Sequence, residues 1–177
     1  MPEMIDEPIV PDHLTAACWR INRANAALGG PINNCVCASL ALVALLREQG
    51  QAAQVVQVTV RLAADGRPGA DYILGGDDGK PAPAGGWYGH LVAVSGGHLL
   101  DPTVDQVDVD CDGQKILLPT LVLPLPDTWP SGSAGTTIGA VSVTYRRHRR
   151  QFGWQKSPSA RPSAYMPIVQ KAKQTSP

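Results

Sequence analysis

Two cysteines separated by one residue, Cys35 and Cys37, stand at the start of the apolar segment NNCVCASLALVALLREQG. A thiol reacts as its thiolate, and a helix N-terminus favours the thiolate because its unpaired N–H groups and its dipole attract negative charge. Asn33 or Asn34 can cap a helix that begins here, so Cys35 falls in the first turn, where this effect is greatest. The segment therefore predicts a reactive cysteine.

A base and a group that orients it are predicted by a second segment, GHLVAVSGGHLLDPT. His90 opens one expected strand and Asp101 closes the next, and the Gly96-Gly97 pair between them is typical of a tight hairpin turn. Folding the hairpin brings both ends to one edge of a sheet. A histidine there can take the thiol proton when a carboxylate accepts from its other nitrogen. Cys35, His90 and Asp101 could thus act together, in that chain order.

Two helices must position these residues. Asp12 can cap a first helix through HLTAACWRINRANAAL, which stops at Gly29-Gly30-Pro31. The second helix carries Cys35 and stops at Gly50. Because it is apolar nearly all round, we expect it inside the protein.

Strands are predicted for AAQVVQVTVRLA, for the hairpin, and for QKILLPTLVLPL and TIGAVSVTYRR. Helices followed by antiparallel strands indicate an α+β fold. We predict one domain over residues 1–155 and a C-terminal tail, 156–177, with room for a short helix only, because Pro167 interrupts it. The Gly- and Pro-rich stretch at 64–88 is either a substrate lid or a tolerated insertion.

These motifs resemble the transglutaminase-like branch of the papain-like cysteine enzymes. That family has a Cys opening a buried helix, an Arg near its end, a Gly, a strand, a His opening the next strand, and an Asp-Pro-Thr closing the one after. CVCASLALVALLREQGQAA, GHLVAV and LLDPT occupy these places. The resemblance implies a papain-like α+β fold, in which a buried Cys helix packs on a small antiparallel sheet. It also implies that Cys35 is the nucleophile, not Cys37, with His90 as base and Asp101 as its orienter.

The reaction implied by the resemblance is acyl transfer from a peptide or protein amide through a thioester, with no cofactor. Peptide hydrolysis, deamidation and transamidation share that intermediate, and Val36 stands where transglutaminases usually have Trp. The backbone N–H of Cys35 is one expected donor to the oxyanion. The remaining oxyanion and substrate candidates are Asn34, Trp19, Trp87 and Gln106. The alternative function is a catalytically inactive member of the fold that serves as a protein-binding or structural module.

Metal sites are not expected. Two positions along a helix turn a side chain by about 200°, so Cys37 points away from Cys35 and packs in the core. Structural zinc usually uses cysteine pairs separated by two or more residues. The segment DVDCDG at 108–113 resembles the start of a calcium loop, but Pro119 stands at the twelfth position, where a Glu is required.

Charge and hydropathy limit the classes of binding partner and the compartment that we expect. Fifteen basic residues balance fifteen acidic ones, which gives no support to nucleic acid or an anionic membrane as the main partner. The segment YRRHRR at 145–150 is expected to be a solvated strand end, with nucleic-acid binding as a weaker alternative. The N-terminus does not resemble a secretory signal, and the longest apolar stretch is too short to span a bilayer. We therefore expect a cytoplasmic protein with free thiols; the sequence does not indicate an oligomeric state.

Overall fold

The computed structural model describes residues 10–30, 34–64, 71–74, 89–104, 108–111, 114–117, 120–129, 131–149, 151 and 153–176. The backbone alone is described for residue 64 and for 71–74, 108–111 and 114–117. Over these residues the chain forms α-helices and antiparallel β-strands, so the predicted α+β fold is confirmed.

The first two helices, α1 at Asp12–Ala27 and α2 at Cys35–Glu48, end at glycines as predicted. After α2, Gly50 has a φ of +79°, which L side chains rarely adopt. The N–H of Gln51 then donates to the carbonyl of Leu46 at 2.9 Å, and the N–H of Gly50 donates to that of Arg47. This bonding satisfies carbonyls that the helix itself leaves unpaired.

The start of α1 differs from the prediction, because Pro11 and not Asp12 is its N-cap residue. The N–H of Leu14 donates to the carbonyl of Pro11 at 3.0 Å. Asp12 consequently lies in the first turn, where its carboxylate interacts favourably with the positive end of the helix dipole.

A third helix, α3 at Pro162–Gln174, is longer than the sequence predicts. Its first residue is a proline, whose fixed φ suits the start of a helix. Pro167 lies inside the helix and lacks the N–H of one helical hydrogen bond. Packing offsets this loss, because α3 lies against α1 and α2 and contributes three buried residues to their shared core: Ile168, Val169 and Ala172.

The described strands are β1 Ala53–Ala64, β2 Asp71–Leu74, β3 His90–Ser95, β4 His98–Asp101, β5 Asp108–Cys111, β6 Gln114–Leu117, β7 Leu121–Pro124, β8 Ser133–Ile138 and β9 Val141–Arg147. Most of them form one antiparallel sheet in the order β7-β4-β3-β1-β9-β8. The long strand β1 pairs along one edge with β3 and then with β2, and along the other with β9. A separate ribbon pairs β5 with β6.

The sheet separates two hydrophobic clusters. The three helices pack on one face, where Ala93 and Leu100 belong to the same cluster as the core residues of α1, α2 and α3. The other face carries Val92, Leu99 and the buried valines of β1 and β9. Strands β7 and β8 contact each other, so the sheet curves around this second cluster. Since side chains alternate along a strand, His90 and Asp101 share the concave face with Val92 and Leu99.

Candidate active site

The predicted base and its partner lie on the β3–β4 hairpin. Gly96 and Gly97 connect its strands with φ values of +56° and +74°. A two-residue type I′ turn requires positive φ at both positions, which glycine adopts without strain. The strands pair from this turn onward, so His90 and Asp101 come together at the far end of the hairpin. The sequence prediction of this hairpin is confirmed.

His90 and Asp101 are in direct contact. The Nε2 atom of His90 lies 2.7 Å from Oδ2 of Asp101, and the two residues are 5% and 0% exposed. An ionised carboxylate can only accept hydrogen bonds, so Nε2 carries the proton. The other ring nitrogen is thereby left for the Cys35 thiol, whose pKa is lowered by His90.

The Asp101 carboxylate has three further hydrogen bonds. Tyr145 on β9 donates its hydroxyl to Oδ2 at 2.9 Å. Thr103 donates its backbone N–H and its hydroxyl to Oδ1, at 3.0 and 3.1 Å. With both oxygens saturated, the carboxylate is held in one orientation toward His90.

Cys35 is the first residue of α2 and is 7% exposed. It packs with Val36 of the same helix and with Leu91 of β3. The His90 side chain and the backbone N–H of Leu91 both act on this thiol, and each lowers its pKa. The structure therefore brings together the three residues that the sequence singled out.

The electrostatics of the three groups favour charge separation. Burial raises the pKa of Cys35, but the hydrogen bond and charge of His90, together with the Leu91 N–H, outweigh it and hold that pKa below its ordinary 9.0. Burial lowers the pKa of His90, yet the charge and hydrogen bond of Asp101, with a smaller contribution from Cys35, raise it to about 10. Despite burial, His90 and the N–H and O–H donors lower the pKa of Asp101. These directions favour a thiolate beside an imidazolium.

Cys37 faces away from this site, as the sequence predicts. Its sulfur donates to the carbonyl of Ala164 on α3 at 3.2 Å, and it belongs to the cluster between the helices. Burial raises the pKa of this thiol. Cys37 is therefore a packed residue whose thiol stays protonated where Cys35 ionises.

Asn34 occupies the N-cap position of α2, but its side chain does not cap the helix. Its Nδ2 donates instead to Oδ1 of the buried Asn25 on α1 at 2.8 Å. Gly30 packs so closely on the Asn25 amide that a Cβ atom would clash there. The Asn34 amide is thus engaged in joining α1 to α2, and the backbone N–H of Cys35 remains the candidate oxyanion donor.

The other oxyanion and substrate candidates are Trp19, Trp87 and Gln106. Trp19 is 38% exposed on α1, with the guanidinium of Arg23 at 5.8 Å from its ring centre. It is not among the described residues that pack on the Cys35 cluster. Trp87 and Gln106 lie outside the described residues, as does most of the stretch at 64–88.

Three residues at the site were not identified from the sequence. Thr103 belongs to the LLDPT segment. An Asp side chain often accepts the backbone N–H of the residue two positions later, so the spacing of Asp101 and Thr103 could have indicated this contact. Tyr145 fits the side-chain alternation of strand β9, but nothing in the sequence indicates that its hydroxyl binds Asp101. Trp154 lies in a short 3₁₀ turn at Trp154–Lys156 and packs, half-buried, against the cluster of Cys35, Val36 and Leu91.

The basic segment at 145–150 is partly internal. The Tyr145 side chain is buried against Asp101 and His148 is also buried, whereas Arg146, Arg147 and Arg149 are exposed. Tyr145 is consequently not available as a platform for stacking nucleic-acid bases.

Within the described part of the chain, no group of three or more His, Cys, Asp and Glu side chains could hold a metal ion. None of the helices described here is both long and apolar enough to cross a membrane. The side chains of 108–111 and residues 112–113, which carry the calcium-like pattern, lie outside the described set. Comparisons with family models, curated proteins and solved structures find no match to this chain.

Proposed function

We propose that the protein is a cysteine-dependent acyl-transfer enzyme that acts on amide bonds through a thioester. Cys35 is the nucleophile, His90 the acid and base, and Asp101 the residue that orients His90. The observation that carries the proposal is the buried pair of His90 and Asp101, with 2.7 Å between Nε2 and Oδ2, beside the buried Cys35 thiol, whose pKa His90 lowers. The resemblance of the three motifs to transglutaminase-like, papain-like enzymes supports the same assignment.

Formation of the thioester begins from the ion pair. The Cys35 thiolate attacks the carbonyl carbon, and the π electrons of the C=O bond move to its oxygen. The backbone N–H of Cys35, in the uncapped first turn of α2, is the candidate donor to this oxyanion. When the tetrahedral intermediate collapses, the C–N bond breaks and the His90 imidazolium gives its proton to the departing amine.

Release of the acyl group reverses these roles. Neutral His90 takes a proton from water or from an amine, which attacks the thioester carbon, and the thiolate leaves. Water completes hydrolysis of a peptide bond or deamidation of a side-chain amide, and an amine completes transamidation. The proposal covers all three reactions because they share the residues and the intermediate.

Asp101 acts through His90 in both halves of the reaction. Its carboxylate accepts from Nε2 at 2.7 Å, which keeps the proton on that nitrogen and leaves the other one toward sulfur. Its buried negative charge also stabilises the imidazolium. Tyr145 and Thr103 hold the carboxylate in place, so we regard them as positioning residues.

Selective alkylation tests the proposal. Native protein is treated with iodoacetamide near pH 6, and the modified peptides are mapped by mass spectrometry. We expect rapid labelling of Cys35, loss of that labelling in His90→Ala, and little labelling of Cys37, which is an internal control on the same helix. Equal labelling of both cysteines, or none at Cys35, refutes the proposal.

A chemical trap distinguishes an enzyme from a reactive but inactive module. Glutamine-containing peptides are incubated with the protein and hydroxylamine, which converts a thioester to a hydroxamate. Hydroxamate formation that is lost in Cys35→Ser supports acyl transfer. Labelled Cys35 without hydroxamate from any peptide amide would favour the alternative, a binding or structural module.

A further inference from the structure

The backbone of Leu91, next to the site, does not bond to the neighbouring strand β1. In an antiparallel ladder, successive residues direct their N–H and C=O groups to opposite neighbours. Gln57 lies opposite Leu91 on β1, but it bonds in the other direction. Its N–H donates to Oε1 of Gln151 and its carbonyl accepts the N–H of His148, both at 2.9 Å. The polar groups of Leu91 therefore face the side of β4.

The ladder to β4 has ended at this level. Ala93 pairs with Leu100, so continuing the register by two residues would place Pro102 opposite Leu91. Proline has no N–H to donate to the Leu91 carbonyl. The carbonyl of Pro102 accepts instead from Nδ2 of Asn22 on α1 at 3.0 Å. Strand pairing consequently leaves both polar groups of Leu91 to other partners.

Two residues of α2 contact Leu91. Ser39 donates its hydroxyl to the Leu91 carbonyl at 2.6 Å, and Cys35 packs on Leu91 in one buried cluster, where the Leu91 N–H lowers the pKa of the thiol. Residues four apart lie on the same face of a helix, so one face of α2 contacts Leu91 through both Cys35 and Ser39. Ser39 is fully buried, at 0% exposure.

Other residues of α2 and β3, such as Ala38, Leu42 and Ala93, pack together in one apolar cluster. Apolar contacts stabilise the packing but are non-directional, whereas a hydrogen bond sets both distance and angle. We propose that Ser39 is a positioning residue which fixes the axial place and rotation of α2 on Leu91, and so holds the Cys35 sulfur against His90. This inference rests on the proposed function of Cys35.

Two serine variants separate positioning from general stability. Ser95 is a matched control, because it is buried on the same strand β3 and donates to the carbonyl of Ala52 at 2.9 Å, away from the site. We expect Ser39→Ala and Ser95→Ala to lower the thermal midpoint by similar amounts. The measurement is the rate of Cys35 alkylation by iodoacetamide as a function of pH. The charged groups that affect the Cys35 pKa are His90 and Asp101. Only Ser39→Ala should move the midpoint of this profile upward, by up to about one pH unit.

A second measurement does not depend on the chemistry of the thiol. Amide hydrogen exchange at Leu91 should be about five to ten times faster in Ser39→Ala than in Ser95→Ala, because the end of α2 no longer closes over that N–H. If the pH midpoint and the Leu91 exchange rate of Ser39→Ala both match those of Ser95→Ala, the inference is overturned. A wild-type Cys35 that titrates like an ordinary thiol refutes the proposed function instead, and the exchange rate alone then decides the role of Ser39.

Discussion

Replacing Asp101 by asparagine tests how the site is held together. The carboxylate accepts from His90 and Tyr145 at one oxygen, and from the N–H and hydroxyl of Thr103 at the other. Asparagine has nearly the same shape, but it offers one acceptor oxygen and one NH₂ donor. The backbone N–H of Thr103 cannot turn away, so the amide oxygen is expected to face it. The NH₂ group then faces His90.

We expect Asp101→Asn to lower both the stability of the protein and the reactivity of Cys35. Hydrogen bonds to a buried charge are worth about 1.5–3 kcal/mol and neutral ones about 0.5–1.5 kcal/mol, so converting four of them lowers the free energy of unfolding by roughly 4–6 kcal/mol. His90 must also accept at Nε2, which transfers its own proton to the nitrogen beside Cys35. That tautomer cannot take the thiol proton, and the imidazolium loses its negative partner. We expect iodoacetamide labelling of Cys35 at pH 6 to slow by at least about tenfold.

Urea unfolding at pH 7 measures the first loss, and the alkylation rate of the folded variant measures the second. Asp127→Asn is the control, since Asp127 is exposed and the same change there should alter neither quantity appreciably. The reasoning fails if Asp101→Asn unfolds within about 0.5 kcal/mol of the wild type and labels Cys35 at the wild-type rate.

Two more perturbations probe the same network. Tyr145→Phe removes one donor to the Asp101 carboxylate, so urea unfolding should show a loss of about 1.5–3 kcal/mol; a loss no greater than that of Tyr165→Phe on the half-buried face of α3 would contradict this. The pKa of His90 is raised from 6.5 to about 10 on folding, so its stabilisation is complete below pH 6.5 and is lost as the pH rises toward 10. In a Cys35→Ser background, which removes the opposing contribution of the thiol, stability should fall over that range, and His90→Gln should abolish the dependence; an unchanged slope would count against the raised pKa.

Local signals explain why much of the site could be predicted from the sequence. The Gly96-Gly97 pair favours a two-residue hairpin turn. Pairing of the two strands then places His90 and Asp101 at the same end of the hairpin, independently of the rest of the chain. The apolar composition of α2 and its glycine stop mark a buried helix that begins at Cys35. Helical periodicity separates Cys35 from Cys37, which the structure confirms.

Other features depend on contacts with residues that are distant in the sequence, which no local pattern predicts. Asn34 matches the usual N-cap residue, yet its amide bonds to Asn25 because α1 lies beside the start of α2. Pro167 would end an isolated helix, but the packing of α3 on α1 and α2 outweighs the missing hydrogen bond. Tertiary contacts thus override a local preference at both positions.

The sequence by itself determined the α+β class, the buried cysteine helix and the hairpin that presents His90 and Asp101, because each depends on residue periodicity or turn chemistry within a short stretch. Only the tertiary structure decided what holds the three groups together. Tyr145 reaches Asp101 because β9 is bound to β1 on the opposite side from β3 and the sheet curves around its concave face. Ser39 reaches Leu91 because Pro102 ends the ladder beside it. Such contacts join distant parts of the chain, and strand order and sheet curvature, which set them, are properties of the whole packed chain.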